Sequence, residues 1–140
     1  MLRDQQISES QAGASATADR PLRIALLSYR SKAHSGGQGI YVRHLSRELA
    51  ALGHHGEVIS GPPYPELDEG PSLTKVPSLD LYREPDPFRV PKLREFRSPI
   101  DVYEFLSVCT GSFPEPLTFS LRARRLLENR PAAERPDIVH

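Results

Sequence analysis

A near-continuous apolar run, a glycine cluster and a helical period follow one another early in this chain. No other feature constrains its fold as much. Leu22-Arg23-Ile24-Ala25-Leu26-Leu27-Ser28 alternates too little for a strand with one wet face. Such a run suits a strand covered on both faces, as in a parallel sheet. Ser35-Gly36-Gly37-Gln38-Gly39 comes next, and Val42, Leu45, Leu49 and Leu52 then share one face of a helix expected over 39–52. Arg43, Arg47 and Glu48 fall off that face, and Gly53 stands where a left-handed C-cap is expected. Glu57-Val58-Ile59-Ser60 reads as a short second strand. Strand, helix and strand in so short a span form a βαβ unit, whose crossover is expected to be right-handed.

The remaining chain extends that pattern. Pro is 14 of the 140 residues, about twice its usual share, and it crowds between Gly61 and Pro99. Pro removes a ladder donor and restricts its predecessor, so an extended loop is expected there. Within it a short third strand is expected over 73–76 and a helical turn over 92–96. Helices are expected over 100–109 and 115–129. Pro136-Asp137-Ile138-Val139-His140 reads as the opening of a fourth buried strand. Residues 1–20 have no period and few large side chains, which predicts a disordered tail. The expected fold class is α/β: a partial Rossmann-like parallel sheet over 21–140 with helices on both faces.

Composition excludes several functions. With 18 basic and 18 acidic residues the formal net charge is zero, so the basic excess of a nucleic-acid binder is lacking. The single cysteine, Cys109, permits no intrachain disulfide and no cysteine metal cluster. Its apolar surroundings, Phe105 to Val108, predict a buried, inert thiol. His44, His54 and His55 do not form a metal set. No apolar signal segment follows Met1, and Ile24 to Leu27 is far too short to span a bilayer. A cytoplasmic protein is the simplest expectation.

The glycine cluster carries the chemistry. First-turn N–H groups of a helix lack intrahelical partners, and the helix dipole adds partial positive charge there. Glycines let the backbone approach a ligand closely. Together they make an anion site suited to phosphate, at the carboxyl end of a strand, where open α/β folds bind ligands. The other reading is a flexible loop that only caps a helix. Two rival phosphate motifs fail on counting. A dinucleotide fingerprint would need glycine where Val42 stands and an acid where Ser60-Gly61 end the second strand. The Gly-Lys-Ser or Gly-Lys-Thr of a P-loop does not occur.

Arg23 to Ser28, then Ser35-Gly36-Gly37-Gln38-Gly39-Ile40-Tyr41-Val42, then Leu45 to His54, resemble the opening of family 4 glycosyltransferases in order, spacing and residue type. Asp137-Ile138-Val139-His140 is similar to the family's Asp-(Val/Ile)-(Val/Ile)-His on the fourth strand. The resemblance implies the N-terminal half of a retaining, two-domain (GT-B type) enzyme that moves a hexose from a nucleotide sugar to an acceptor. Gly36, Gly37, Gln38 and Gly39 would donate backbone N–H groups to the donor diphosphate. Stabilising charge that grows in the transition state is a large catalytic effect. The resemblance requires no metal, and no cofactor beyond the nucleotide sugar as substrate. Its catalytic side chain would lie at or just past His140, and the donor-binding acids would come from a C-terminal domain that these residues do not include. One departure is His54-His55-Gly56, which is expected to break the start of the second strand.

Tyr64, Tyr82, Arg83 and Arg89 would line the acceptor side by the same resemblance; the plainer reading is loop packing. His34 reads as a solvated loop side chain. Arg122, Arg124, Arg125 and Arg130 crowd one helix and read as a solvated face, with peripheral contact to anionic lipid at the membrane's inner face as a weaker option. A function of another class stays open: a noncatalytic Rossmann-like binding module, or a truncated fragment without turnover.

Overall fold

The computed structural model describes residues 20–32, 37–81, 83 and 89–140. The expectations for the N-terminal tail, His34, Ser35, Gly36 and Tyr82 lie outside the described residues. In chain order the elements are β1 (Arg23–Ser28), α1 (Gly37–Ala51), β2 (His55–Ser60), β3 (Ser72–Lys75), α2 (Pro99–Cys109), α3 (Glu115–Glu128) and β4 (Ile138–Val139). Single 3-10 turns occupy Leu93–Glu95 and Ala132–Glu134. The strands form one parallel sheet in the order β3-β2-β1-β4. The α/β reading and nearly every expected element are present, with shifts of one or two residues at their ends; β4, expected to be buried, is instead exposed at both Ile138 and Val139 because no further element covers this edge among the described residues. No helix among the described residues is long and apolar enough to cross a membrane.

Strand alternation divides the core into two layers. Ile24 and Leu26 of β1 and Val58 of β2 face α1, where Val42, Leu45 and Leu49 cover them. Ala25 of β1 and Ile59 of β2 face α3, against Phe119 and Ala123. Leu26 is 2% exposed and Ile59 fully buried; each such side chain contributes about 1.5–3 kcal/mol by leaving water. Covering on both faces is the physical reason that β1 is apolar almost throughout.

Several expectations need correction. Leu52 is 73% exposed, not part of the buried face of α1. The helix closes just before it: Gly53 takes a φ of 87°, and the N–H groups of Gly53 and His54 donate to the carbonyls of Ala50 and Leu49 at 3.0 Å each. This is a Schellman closure, and Leu52 sits in the turn. Ser46 is buried on the helix instead, its hydroxyl donating to the Arg43 carbonyl at 3.0 Å. His54-His55-Gly56 does not break β2. The strand starts at His55, whose N–H donates to Leu22 O at 2.8 Å, and Gly56 stands opposite Ile24. Parallel pairing uses backbone groups, so the missing side chain at Gly56 costs the ladder nothing.

Helix α2 turns two acids inward. Asp101 and Glu104 are buried, while Val102, Tyr103 and Leu106 are exposed. Cys109, at the end of this helix, is exposed as well, contrary to the sequence expectation. The inward acids are matched by Arg122 of α3, which donates to Asp101 Oδ1 at 2.6 Å and to Glu104 Oε2 at 2.5 Å. Arg122 and Arg130 therefore do not belong to a solvated face. Arg130 holds both oxygens of Glu57 at 2.6 Å and ties the end of α3 to β2. Arg124 and Arg125 are exposed as expected.

Candidate active site

The sheet order creates the site. From β1 the chain moves outward through β2 and β3, and β4 then pairs on the other side of β1. The connection leaving β1 and the connection entering β4 thus lie on opposite sides of β1, and the carboxyl ends of β1 and β4 form the switch point of the sheet, where the crevice of such folds lies. Ligands bind at such switch points in open α/β sheets. The connection leaving β1 leads to the glycine cluster, and β4 leads to His140.

The first turn of α1 is anchored from beneath. A Cβ on Gly39 would stand 2.2 Å from the Lys32 carbonyl oxygen, so backbone fills the space a side chain would need. This close approach is where glycine is required. Gly37 differs: its φ is not positive and a Cβ would meet nothing within 4 Å. Gly37 and Gln38 face solvent, while Gly39 is buried. The first turn of α1 carries no acidic residue. No carboxylate of its own therefore offsets the partial positive charge of that end.

Below the loop, the backbone is fixed by buried polar contacts. The hydroxyls of Ser28 and Ser31, both buried, are hydrogen-bonded to each other. Ser31 N–H donates to Pro63 O at 2.9 Å and Gly61 N–H to Ser28 O at 3.0 Å. A Cβ on Gly61 would meet Tyr29 O at 2.5 Å, so the segments leaving β1 and β2 are in close contact.

On the other side of the crevice His140 continues the β4 ladder. Its N–H donates to Ala25 O at 2.8 Å and its carbonyl accepts from Leu27 N–H at 2.7 Å. Its imidazole Nε2 is 3.4 Å from the Tyr41 hydroxyl on α1. The fold thus brings the first turns of α1 and His140 to one crevice.

Among the described residues expected on the acceptor side, Tyr64 and Arg89 both neighbour Asp80. Tyr64 lies past the end of β2 under Lys75, whose Nζ is 5.0 Å from the ring centroid. Burial, with the charge of Asp80, pushes its phenol above the usual range. Arg83 is exposed. Arg89 donates to Leu79 O at 2.6 Å and pairs with Glu95 at 3.0 Å, so its guanidinium holds loop backbone.

Sequence reasoning missed the acids behind this edge. Glu115 opens α3 and pairs with Arg30, just past β1, at 3.5 Å. Burial pushes the Glu115 carboxyl up, with Arg30 opposing and Glu104 and Asp80 adding to the rise. The visible signal was slight: Asp101 and Glu104 interrupt the otherwise apolar α2 at a spacing of three.

Residues 36–140 match the model of the glycosyl transferase 4-like domain. The chain belongs to the glycosyl transferase 4-like family. It is 65% identical over 120 residues to MMP α-(1→4)-mannosyltransferase of Mycolicibacterium hassiacum. That alignment covers 85% of this chain and 29% of the relative, so the chain spans less than a third of that protein's length. Within this glycosyl transferase 4-like domain, the matched region contains both walls of the crevice, Gly37 to Tyr41 and Ile138 to His140.

Proposed function

We propose that this domain forms the acceptor-side half of a retaining glycosyltransferase that moves mannose from a nucleotide sugar in α-(1→4) linkage. The single observation that carries the reading is the switch point beyond the carboxyl ends of β1 and β4, with the first turn of α1 on one side and His140 on the other. The sugar and linkage rest on the 65% identity to the mannosyltransferase.

In this mechanism the bond between the sugar's anomeric carbon and the diphosphate breaks, and negative charge collects on the leaving phosphate. The N–H groups of Gly37, Gln38 and Gly39, with Gly36 before them, stabilise that charge as it grows. The open position at Gly37 lets the diphosphate come close. An acceptor hydroxyl forms the new bond to the same face of the sugar and loses its proton to a base at or past His140. No metal is invoked, because the helix end supplies the positive charge. Donor contacts from a second domain complete the site and exclude water, which strengthens these hydrogen bonds. The 140 residues by themselves are expected to give no multiple turnover. The reading places the protein in the cytoplasm, where any membrane contact is peripheral.

The test is Gly37→Val in the full-length enzyme, assayed for mannosyl transfer from nucleoside-diphosphate mannose donors. A folded variant with strongly reduced kcat is expected, since the added side chain projects into the space proposed for the diphosphate. Unchanged kinetics in that variant defeats the assignment. Tight NADH binding would favour an oxidoreductase instead.

A further inference from the structure

Beyond β3 the chain turns over the α3 face, and a cavity of about 700 Å³ opens between residues 76–79 and helices α2 and α3. Its size falls within the range of small-molecule sites. None of Gly37, Gln38, Gly39 and His140 lines it. Its apolar side is formed by Val76, Leu79, Ile100 and Leu126, of which Val76 and Leu79 are buried.

Four arginines reach the same cavity. Two are neutralised: Arg89 by Glu95 at 3.0 Å, and Arg122 by Asp101 and Glu104 at 2.6 and 2.5 Å. Asp101 Oδ2 is also taken, accepting the backbone N–H groups of Arg97 and Ser98 at 2.9 and 2.8 Å. Asp101 is thus committed, while Glu95 accepts from Arg89 through Oε1 and its buried Oε2, ion-paired with the same guanidinium, accepts no hydrogen bond among the described residues. The guanidiniums of Arg97 and Arg125 have no hydrogen bond or ion pair among the described residues.

Two uncompensated cations beside an apolar wall have a chemical complement: an anionic head on an apolar body. Guanidinium suits carboxylate and phosphate oxygens equally, through paired N–H donors. Aromatic side chains, on which nucleobases stack, are absent from the described lining. We propose that this cavity binds an amphipathic anion, an acyl chain ending in a carboxylate or phosphate. The head rests on Arg97 and Arg125, and the chain lies along Leu79, Ile100 and Leu126. The site is separate from the transferase crevice and does not depend on that reading.

The experiment titrates laurate and dodecyl phosphate against the whole 140-residue chain, read by displacement of fluorescent dansyl-undecanoate. Saturable displacement is expected, and the tighter of the two anions identifies the head group. The double variant Arg97→Gln/Arg125→Gln should weaken binding by about tenfold or more, as for lost charge-assisted hydrogen bonds. 1-Dodecanol should bind at least about tenfold more weakly than the anions by the same argument. Both arginines are exposed and unpaired among the described residues, so the melting temperature should not move, and the single Gln variants repeat the test if it does. Lack of displacement by either anion overturns the proposal. So does undiminished affinity in the variants, or dodecanol binding as tightly as laurate.

Discussion

The Tyr41 hydroxyl lies 3.4 Å from Nε2 of His140, with the two rings tilted by 49°. The contact spans the crevice between α1 and β4 and is the one side-chain link described between its two walls. It is long and exposed, Tyr41 being 53% accessible. Its contribution to stability should therefore be within about 0.5 kcal/mol. Under the proposed function, its bearing on transfer would come through the orientation of the imidazole. Tyr41→Phe in the full-length enzyme should leave the urea midpoint unchanged and lower kcat several-fold, roughly the worth of one hydrogen bond. Wild-type kcat in that variant would remove Tyr41 from the account.

Gly37 and Gly39 should respond oppositely to a single methyl group. At Gly39 the Cβ would collide with Lys32 O at 2.2 Å, and backbone must move. Gly39→Ala is expected to cost about 1–3 kcal/mol, as overpacking does. At Gly37 the space is open and φ is not positive. Gly37→Ala should be neutral or stabilising by about 0.5–1 kcal/mol, the usual gain over glycine in a helix. Urea denaturation of both variants measures this contrast; equal destabilisation would contradict the placement of the loop.

Removing Arg122 should leave Glu104 without its ion-pair partner, while Asp101 keeps the backbone N–H groups of Arg97 and Ser98. The Arg122 side chain is 11% exposed, and that of Glu104 only 1%. Arg122→Met is expected to cost about 3–5 kcal/mol near neutral pH, as when one partner of a buried ion pair is lost. Burial pushes the Glu104 carboxyl above its ordinary value, with Arg122 pulling against it. A carboxyl raised in the fold favours the protonated form. The stability it contributes is full below the ordinary value of about 4.3 and is lost as pH rises through the raised one. The deficit of the variant should therefore be larger at pH 7 than near pH 5. A deficit independent of pH over that interval would show that Glu104 is not the group left stranded.

Glu57 has the opposite sign. Hydrogen bonds from Arg130 hold its carboxyl below the usual range against the effect of burial, helped by Thr74. The stability this supplies is present above about pH 4.3 and lost as pH falls through the depressed value. Glu57 and Arg130 are each 20% exposed, so Glu57→Gln is expected to cost about 1–2 kcal/mol at pH 7. Below pH 4 the two proteins should converge. A constant gap across an acid titration of thermal stability would rule the ion pair out as its source.

Periodicity and glycine placement determined the local elements of this chain. The run from Leu22 to Ser28, the face of Val42, Leu45 and Leu49, and the stop at Gly53 are written in neighbouring residues, because strand and helix periods are local properties. The start of α1 among the glycines was legible, to within two residues, for the same reason. Only the tertiary structure decided that β4 pairs with β1 rather than β3, which sets His140 beside Tyr41 and makes the crevice. It also decided that Arg122 and Arg130 are partly buried, ion-paired cations rather than a solvated face. Their partners, Asp101, Glu104 and Glu57, are between 18 and 73 residues away in the chain. A charge's environment depends on what folding brings within a few ångströms of it, and no local pattern around an arginine encodes that distance.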